Sequence, residues 1–496
     1  MSQIDRAVAL LEQGRTEDAL KLTEPLAKGP NPSHQELATH SQILKVLKRH
    51  ADALAFDQLA AERYGRSPVA WHNLGATLDD MGRAQEACAA MERGFALGLN
   101  APESFRVYGR ALMAANQHDR AEAAYKEAFG RQPANVELAS EYANLVWMRR
   151  GDMSGAQHIM DFAFHSGAPP GGPILTKARL WEAAGERDKA ADLLALAAQR
   201  LPQDVGVLLA AAHAQAERGE VADAERLVRS AQVLAPKSPG VLNQLTIVLL
   251  AAGKAEEALA AARKGLAISP DDQSLWGWAA TAARAAGDPL YAALSNYEGN
   301  VAPYDIETPE GWPTLEAFLA DLAVTLRRMH VYQQHPHNQS VRGGSQTMQM
   351  LVGSREPTLV ALFKAVDAPI RAHIAKLGQG DDILRKRNTG DYRMAGAWSV
   401  LLRPGGFHTD HFHSQGWLSS AFYVETPTQA LDRETREGWL RFGKPPIEVK
   451  PPMEADHYIR PQPGRLALFP SYMWHGTVPF TTDESRMTVA FDIVPA

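Results

Sequence analysis

The sequence contains a single cysteine, Cys88, among 496 residues. A disulfide framework within the chain is therefore impossible, and a cysteine-rich zinc site is excluded. Cys88 lies in an alanine-rich stretch with a helical pattern, where we expect it to be a small core residue. The sequence also has no run of about 18 apolar residues free of charge, which is the length that a membrane helix needs. We therefore expect no membrane span.

An excess of positive charge is lacking as well. The formal net charge is −6, from 51 lysines and arginines against 57 aspartates and glutamates, and no long basic run occurs. This balance does not indicate binding to nucleic acid. The first residues, Met1–Arg6, are charged and lack the apolar core of a signal peptide, so we expect a cytoplasmic protein.

A period of 34 residues runs through the first three hundred residues. Nine marker positions, mostly glycines, follow one another at intervals of 34 residues, with one interval of 35, and an alanine lies five residues after each of them. The markers are Gly14, Lys48, Gly82, Asn116, Gly151, Gly185, Gly219, Gly253 and Gly287, and the alanines are Ala19, Ala53, Ala87, Ala121, Ala156, Ala190, Ala224, Ala258 and Ala292.

This punctuation predicts pairs of helices. Each marker ends one helix and turns the chain toward the next, and the alanine is small because two helices cross closely there. Prolines recur at the same period, at Pro202, Pro236 and Pro270, where each stops a second helix. The stretch from residue 167 to 173, rich in glycine and proline, is predicted to be an irregular turn between two repeats.

A helix–turn–helix unit of 34 residues resembles the tetratricopeptide repeat, over about residues 1–295. The resemblance implies an all-α superhelix with a concave groove, which usually binds a peptide or another protein. The alternative is that the array only forms a homodimer or supports the domain that follows.

The pattern changes near residue 300. Residues 301–312 are predicted to be a linker, 314–332 and 357–378 to be helices, and the polar segment between these helices to be irregular. From about residue 383 the apolar residues alternate, which predicts short strands in a small sandwich or barrel within an α+β domain. The predicted strands are 396–402, 406–413, 417–425, 438–442, 465–469, 473–478 and 486–494.

A chain of this length exceeds the roughly 250–300 residues at which single cores stop growing, so more than one domain is expected. The two patterns divide the chain into a repeat array over residues 1–298, a linker with support helices over 299–382, and a β-rich core over 383–496.

A cluster of histidines lies in the second predicted strand. Because residues i and i+2 of a strand share a face, His408 pairs with Asp410 on one face and His411 with His413 on the other. Either pair could hold a metal ion from one strand. His475 is the candidate third ligand, since a histidine without a partner would be costly in its apolar surroundings.

Arg486 is the first residue of a strand that is predicted to be buried, and Thr488 follows two residues later. A buried guanidinium needs an anionic partner, and a dicarboxylic cosubstrate would supply one. Without such a ligand, Arg486 would be expected to form a structural ion pair.

The order of these residues resembles that of the 2-oxoglutarate-dependent Fe(II) oxygenases. More narrowly, the phrases HxHxxxWLSSxxYV from His411, PxPGRLALFPSxxWHGTxPF from Pro461 and RMTVAFD from Arg486 resemble a prolyl-hydroxylase-like branch of these enzymes, as does the segment from 338 to 347. The resemblance covers about residues 330–496. It implies a double-stranded β-helix, or jelly-roll, core.

The resemblance also implies a set of site residues. The metal ligands would be His411, His413 and His475, while Arg486 and Thr488 would bind 2-oxoglutarate. No further catalytic residue is expected. The common facial triad has two histidines and one carboxylate, so a triad that uses Asp410 with His408 or His411 stays open.

The resulting hypothesis is a dioxygenase that uses Fe(II), 2-oxoglutarate and dioxygen to hydroxylate a peptide, a protein or a small molecule, with the repeats as a candidate recruiter of the substrate. Two alternatives belong to other classes. One is a cupin-like metal-binding module without oxygenase activity, and the other is a repeat scaffold with an inactive barrel.

Overall fold

The computed structural model describes residues 2–431 and 434–496. The chain divides into two compact units: Met1–Leu138 with Met348–Gly353, and Ala139–Thr347 with Ser354–Ala496. Within the described residues, no helix combines the length and the apolar character required to cross a membrane.

Helices in antiparallel pairs form the N-terminal part of the chain, as the 34-residue period predicts. They are α1 (Gln3–Glu12), α2 (Thr16–Ala27), α3 (His34–Val46), α4 (His50–Arg63), α5 (Pro68–Asp80), α6 (Ala84–Ala96), α7 (Pro102–Ala114), α8 (His118–Arg131), α9 (Val136–Arg150), α10 (Met153–His165), α11 (Gly171–Ala183), α12 (Arg187–Arg200), α13 (Val205–Glu217), α14 (Val221–Leu234), α15 (Pro239–Ala251), α16 (Ala255–Ile268), α17 (Gln273–Ala286), α18 (Leu290–Leu294) and α19 (Tyr297–Asn300).

The marker positions explain why the period is so regular. All nine have a positive φ, between 58° at Asn116 and 81° at Gly185. This left-handed conformation lets the chain reverse between paired helices, and glycine adopts it without a steric penalty. The first eight alanines that follow are at most 1% exposed, whereas Ala292, on the short helix α18, is exposed. The helical packing therefore weakens at the last repeat.

One expectation for the repeats is wrong in part. The glycine- and proline-rich stretch 167–173 is not wholly irregular, because helix α11 already begins at Gly171. A Cβ atom at Gly171 would lie 2.1 Å from the Asp204 carboxylate, so the missing side chain allows a close approach there.

The C-terminal part is rich in β-strands. Two helices, α20 (Leu315–Arg327) and α21 (Pro357–Leu377), come before most of the strands. Both helices lie close to the bounds predicted from the sequence. The strands are β1 (Ala302–Asp305), β2 (Val341–Gln346), β3 (Tyr392–His408), β4 (Leu418–Glu425), β5 (Leu440–Phe442), β6 (His457–Ile459), β7 (Arg465–Pro470), β8 (His475–Thr477) and β9 (Arg486–Pro495).

These strands form two antiparallel sheets. The larger has the order β1-β7-β4-β9-β3-β2 and the smaller the order β6-β5-β8. An isolated bridge between His411 and His475 extends the smaller sheet beyond β8. The strands β1, β2 and β6 were not predicted from the sequence, because they are short or polar. They are extended because they pair with a neighbouring strand, not because of their own composition.

The second unit contains both repeats and sheets around shared cores. One apolar cluster combines residues of α11 to α17 with Ile447, Val449, Met453 and Trp474 from the β-rich part. Trp474 donates its indole N–H to the hydroxyl of Thr281 on α17, at 2.9 Å. The later repeats therefore support the β-rich part directly, which agrees with one of the two roles considered for the array.

Candidate metal centre

Two separate segments bring the three predicted histidine ligands together. His411 and His475 exchange two backbone hydrogen bonds of 2.9 Å, so their side chains leave neighbouring positions of one sheet. His413 lies two residues further along, where its N–H donates to the carbonyl of Ser471 at 2.9 Å. One side-chain nitrogen from each of the three rings lies within 4.8 Å of the others.

The Nδ1 atom of each ring faces an oxygen. His411 Nδ1 lies 2.9 Å from the carbonyl of Thr409, and His475 Nδ1 lies 3.0 Å from the carbonyl of Met473. A carbonyl can only accept, so Nδ1 carries the proton in both neutral rings and the lone pair is on Nε2.

The third ring, His413, uses a carboxylate in the same way. Its Nδ1 lies 2.6 Å from Asp492 Oδ1, which also accepts a bond of 2.7 Å from the Ser419 hydroxyl. A carboxylate behind a histidine fixes the ring orientation and makes the opposite nitrogen a better metal ligand. No role was predicted for Asp492 from the sequence. The signal that could have found it is a single carboxylate between the apolar residues 489–491 and 493–494.

The Nε2 atoms of His411 and His413 are only 3.2 Å apart. A proton on one of these atoms, or a cation bound between them, would satisfy this contact. Three imidazoles whose ring nitrogens converge in this way are a donor set suited to Fe(II), Zn(II) or Co(II). The residues present therefore fit a metal ion.

The surroundings of His411 and His475 favour neutral imidazoles. Burial, together with the neighbouring His413, lowers the pKa of His411 to about 3. Burial and the neighbouring histidines hold the pKa of His475 well below its usual range. Neutral rings are the form that binds metal, so these two ligands need not lose a proton near neutral pH.

The other predicted face of the histidine strand has a different environment. Strand β3 ends at His408, whose Nδ1 lies 3.0 Å from the Ser340 hydroxyl. Both oxygens of Asp410 accept hydrogen bonds from Arg441, at 2.8 and 2.7 Å. Burial raises the pKa of Asp410, an effect that Arg441 opposes. Among the described residues, the group that could hold a metal contains neither His408 nor Asp410.

A pocket extends from the three histidines to Arg486 and Thr488. Its walls also include Gln346, Trp398, Val400, Ser420, Leu440 and Phe469. Arg486 is 2% exposed, and no described carboxylate forms an ion pair with it. Burial lowers the pKa of its guanidinium. A buried cation without an anion indicates a site for an anionic ligand.

Buried polar atoms around the pocket lack a well-aligned hydrogen bond within the described chain. They are Arg486 Nε, the Tyr423 hydroxyl and the Thr477 hydroxyl, which lies two residues after His475. Tyr423 interacts with the Arg486 guanidinium, whose carbon lies 5.1 Å from the centre of the Tyr423 ring. An unsatisfied buried polar atom is costly, so Arg486 Nε is a candidate contact for a ligand in the pocket. Neither Tyr423 nor Thr477 was predicted from the sequence.

One wall of the pocket is held by the repeats. Gln339 and Ser340 line the pocket. The chain just before them is attached to α9, where the Trp147 indole donates to the carbonyl of His335 at 3.0 Å and Asn144 Oδ1 accepts from His337 N at 3.0 Å. The helix α9 therefore contributes to the shape of the pocket through this segment.

Comparison with known families matches two regions of different kinds. Residues 396–492, which contain all three histidines, match the family described as "Putative 2OG-Fe(II) oxygenase". Tetratricopeptide repeat families match residues 1–24, 205–230 and 239–264, and residues 68–97. No curated protein matches the sequence.

Solved structures that resemble the chain are tetratricopeptide repeat proteins. One from Parabacteroides merdae is 12% identical, with a TM-score of 0.36 over 50% of this chain and 97% of that chain. PilF of Pseudomonas aeruginosa is 18% identical, with a TM-score of 0.33 over 41% and 93%. The C-terminal part of a repeat protein from Cytophaga hutchinsonii is 16% identical, with a TM-score of 0.34 over 49% and 98%.

The chain thus combines matches to tetratricopeptide repeats in its N-terminal part with a region, at residues 396–492, that matches the family described as "Putative 2OG-Fe(II) oxygenase".

Proposed function

We propose that this protein is a dioxygenase that depends on Fe(II) and 2-oxoglutarate. The observation that carries the proposal is one pocket in which three converging histidines and a buried arginine without an anionic partner lie together. A metal site alone would need only the histidines. A dicarboxylate that chelates the metal at one end and meets a guanidinium at the other would satisfy both parts of the pocket.

The strand order supports a double-stranded β-helix core. Along the chain, β3, β4, β7 and β9 belong to the larger sheet, while the His411 bridge, β5, β6 and β8 belong to the smaller one. Between β3 and β9 the chain passes repeatedly from one sheet to the other, as expected for a jelly-roll. In this proposal, residues 383–496 are the catalytic core, 299–382 hold the linker and support helices, and 1–298 form the repeat array.

Each residue of the proposed site has a defined task. His411, His413 and His475 hold the metal through Nε2, and Asp492 orients His413. Arg486 binds the distal carboxylate of 2-oxoglutarate, with Thr488 as a hydrogen-bond donor.

Tyr423 lies beside this guanidinium and adds a second hydroxyl. Bound Fe(II) and 2-oxoglutarate supply the oxidising chemistry, in which dioxygen converts the cosubstrate to succinate and carbon dioxide and hydroxylates a C–H bond of the substrate.

The substrate of the proposed reaction is a peptide, a protein or a small molecule. Because α9 and the later repeats support the pocket, we propose that they shape the substrate entrance next to Gln339 and Ser340. A peptide or protein partner would then be recruited by the other repeats, whose surfaces do not support the pocket. Tetratricopeptide repeats generally mediate protein interactions, but this assignment is an analogy at the level of the fold.

An anaerobic titration tests the proposed function. Apoprotein is mixed with Fe(II) and then with 2-oxoglutarate, and the visible charge-transfer band of the chelated cosubstrate is recorded. We expect the band in the natural protein, its loss in His475→Ala and its weakening in Arg486→Ala. A protein that binds Fe(II) but gives no band at saturating 2-oxoglutarate would support the cupin-like alternative. A protein that binds neither would support the scaffold with an inactive barrel.

A further inference from the structure

A buried ion pair joins the histidine segment to the neighbouring sheet. Arg441 Nε donates to Asp410 Oδ1 at 2.8 Å, and its Nη2 donates to Oδ2 at 2.7 Å. The Arg441 side chain is 18% exposed and that of Asp410 only 6%. Two parallel hydrogen bonds from one guanidinium fix both the distance and the orientation of the carboxylate. Asp410 directly precedes His411, so fixing its position also fixes the start of the ligand segment.

The ion pair passes over a glycine. Arg441 on β5 is paired in register with Gly476 on β8, and Gly476 directly follows His475. A Cβ atom at Gly476 would lie 2.5 Å from Asp410 Oδ1 and 3.1 Å from the carbonyl of His408. Since such contacts are too close, any larger residue at this position would displace Asp410. The absence of a side chain at Gly476 therefore lets the ion pair span the strand that carries His475.

Three neighbouring segments are connected in this way. Arg441 lies on β5, His475 on β8, and Asp410 beside the bridge residue His411. Backbone bonds hold the two ligand segments together at the His411–His475 bridge and, two residues further on, from His413 N to the Ser471 carbonyl. The ion pair adds a side-chain connection on the other side of His411, at Asp410, so the His411 segment is held on both sides of the ligand.

We propose that Asp410 and Arg441 form a clamp that positions His411 against His475, and that Asp410 is a positioning residue rather than a metal ligand. The proposal rests on the metal site of the proposed function. In a triad of two histidines and one carboxylate, Asp410 would be the third metal ligand. The clamp gives this carboxylate a different role. Both of its oxygens are already bonded to Arg441, which leaves the three histidines as the metal ligands.

Cobalt titration of the apoprotein tests the clamp without relying on activity. The variants are Asp410→Asn, Arg441→Met and the double variant, with His475→Ala as the ligand control. The readouts are the Co(II) dissociation constant, the visible d–d spectrum of the bound ion, and the thermal unfolding curve of the apoprotein. We expect each single variant to bind Co(II) about 10- to 100-fold more weakly, as is typical when a residue behind a ligand is lost.

The double variant provides the decisive comparison. If Asp410 and Arg441 act as one unit, removing both should cost no more affinity than removing either one. Arg441→Lys keeps the charge but loses the two-bond geometry, so it should fall between the natural protein and Arg441→Met. The Lys variant also keeps the test usable if a single variant with an unpaired buried charge fails to fold.

Three outcomes would overturn the clamp. If Asp410→Asn loses Co(II) and changes its spectrum while Arg441→Met binds as the natural protein does, Asp410 is a ligand. If both variants unfold more easily but bind Co(II) unchanged, the pair is only structural. If the natural protein binds neither Co(II) nor Fe(II), the proposed function fails as well, which separates that result from a failure of the clamp alone.

Discussion

The polar groups at the two ends of the pocket differ in their hydrogen bonding. At the histidine end, each Nδ1 faces an oxygen at 2.6 to 3.0 Å. At the arginine end, Arg486 Nε has no hydrogen-bond partner, and the guanidinium faces no carboxylate among the described residues. The first end is therefore oriented before any ligand binds, whereas the second depends on a ligand to complete its hydrogen bonds. Substitutions at the two ends should accordingly have separable effects.

The largest effect is expected from His475→Ala. It removes one of three converging ligands, and the metal affinity should fall by about 100-fold or more, beyond the range for residues that only support a ligand. The measurement is anaerobic titration of the apoprotein with Fe(II) or Co(II). Arg486→Met serves as the matched control and should bind metal as the natural protein does. Equal losses in the two variants would contradict the division between the ends.

Arg486→Met should have the next largest effect, at the other end. Loss of the charged partner of a buried carboxylate should weaken 2-oxoglutarate binding to the metal-loaded protein by about 100-fold. The same change removes a buried charge that has no anionic partner, so the apoprotein should become more stable. Calorimetric titration and chemical denaturation measure the two quantities. A variant that loses stability and retains cosubstrate affinity would show that the guanidinium is structural.

Asp492→Asn tests the support behind the metal. The amide of asparagine cannot replace the charged acceptor of His413, so the metal affinity should fall by about 10- to 100-fold. Ser419→Ala is the control, because it leaves the carboxylate in place and should have a smaller effect on the same titration. If Asp492→Asn changes the affinity for 2-oxoglutarate but not for metal, the assignment of Asp492 to the histidine end is wrong.

Tyr423→Phe should have the smallest effect. It removes one hydroxyl from the arginine end, and the loss of a hydrogen bond of about 1 kcal/mol corresponds to a roughly 5-fold weaker binding of 2-oxoglutarate. Metal affinity should not change. The comparison of both dissociation constants between the variant and the natural protein checks this prediction, and tighter cosubstrate binding by the phenylalanine would argue against a hydroxyl contact.

The sequence predicted the repeats well because their signals are local. A marker such as Gly253 and an alanine such as Ala258 report a turn and a close helix contact within a few residues of each other. The tertiary fold does not need to be known for such signals. The starting point of α11 was harder to predict, because the small residue Gly171 allows contact with Asp204, which lies in the next helix pair.

The candidate site was only partly readable from the sequence. His411, His413 and His475 were selected by their order and their family resemblance, and they converge in the structure. The predicted alternation of faces requires a regular strand through residue 413, but β3 ends at His408. Residues that act across the sheets, such as Arg441 and Asp492, could not be found from local patterns because their partners are about 30 and 80 residues away in the chain.

Formation of succinate from 2-oxoglutarate under oxygen tests the account most directly. The metal-loaded protein is incubated with 2-oxoglutarate, and succinate, carbon dioxide and oxygen uptake are measured together, with His475→Ala and Arg486→Met as parallel samples. We predict equal amounts of succinate and carbon dioxide that depend on Fe(II) and disappear in both variants. A natural protein that binds Fe(II) and 2-oxoglutarate and still forms no succinate, or variants that form as much as it does, would contradict the account.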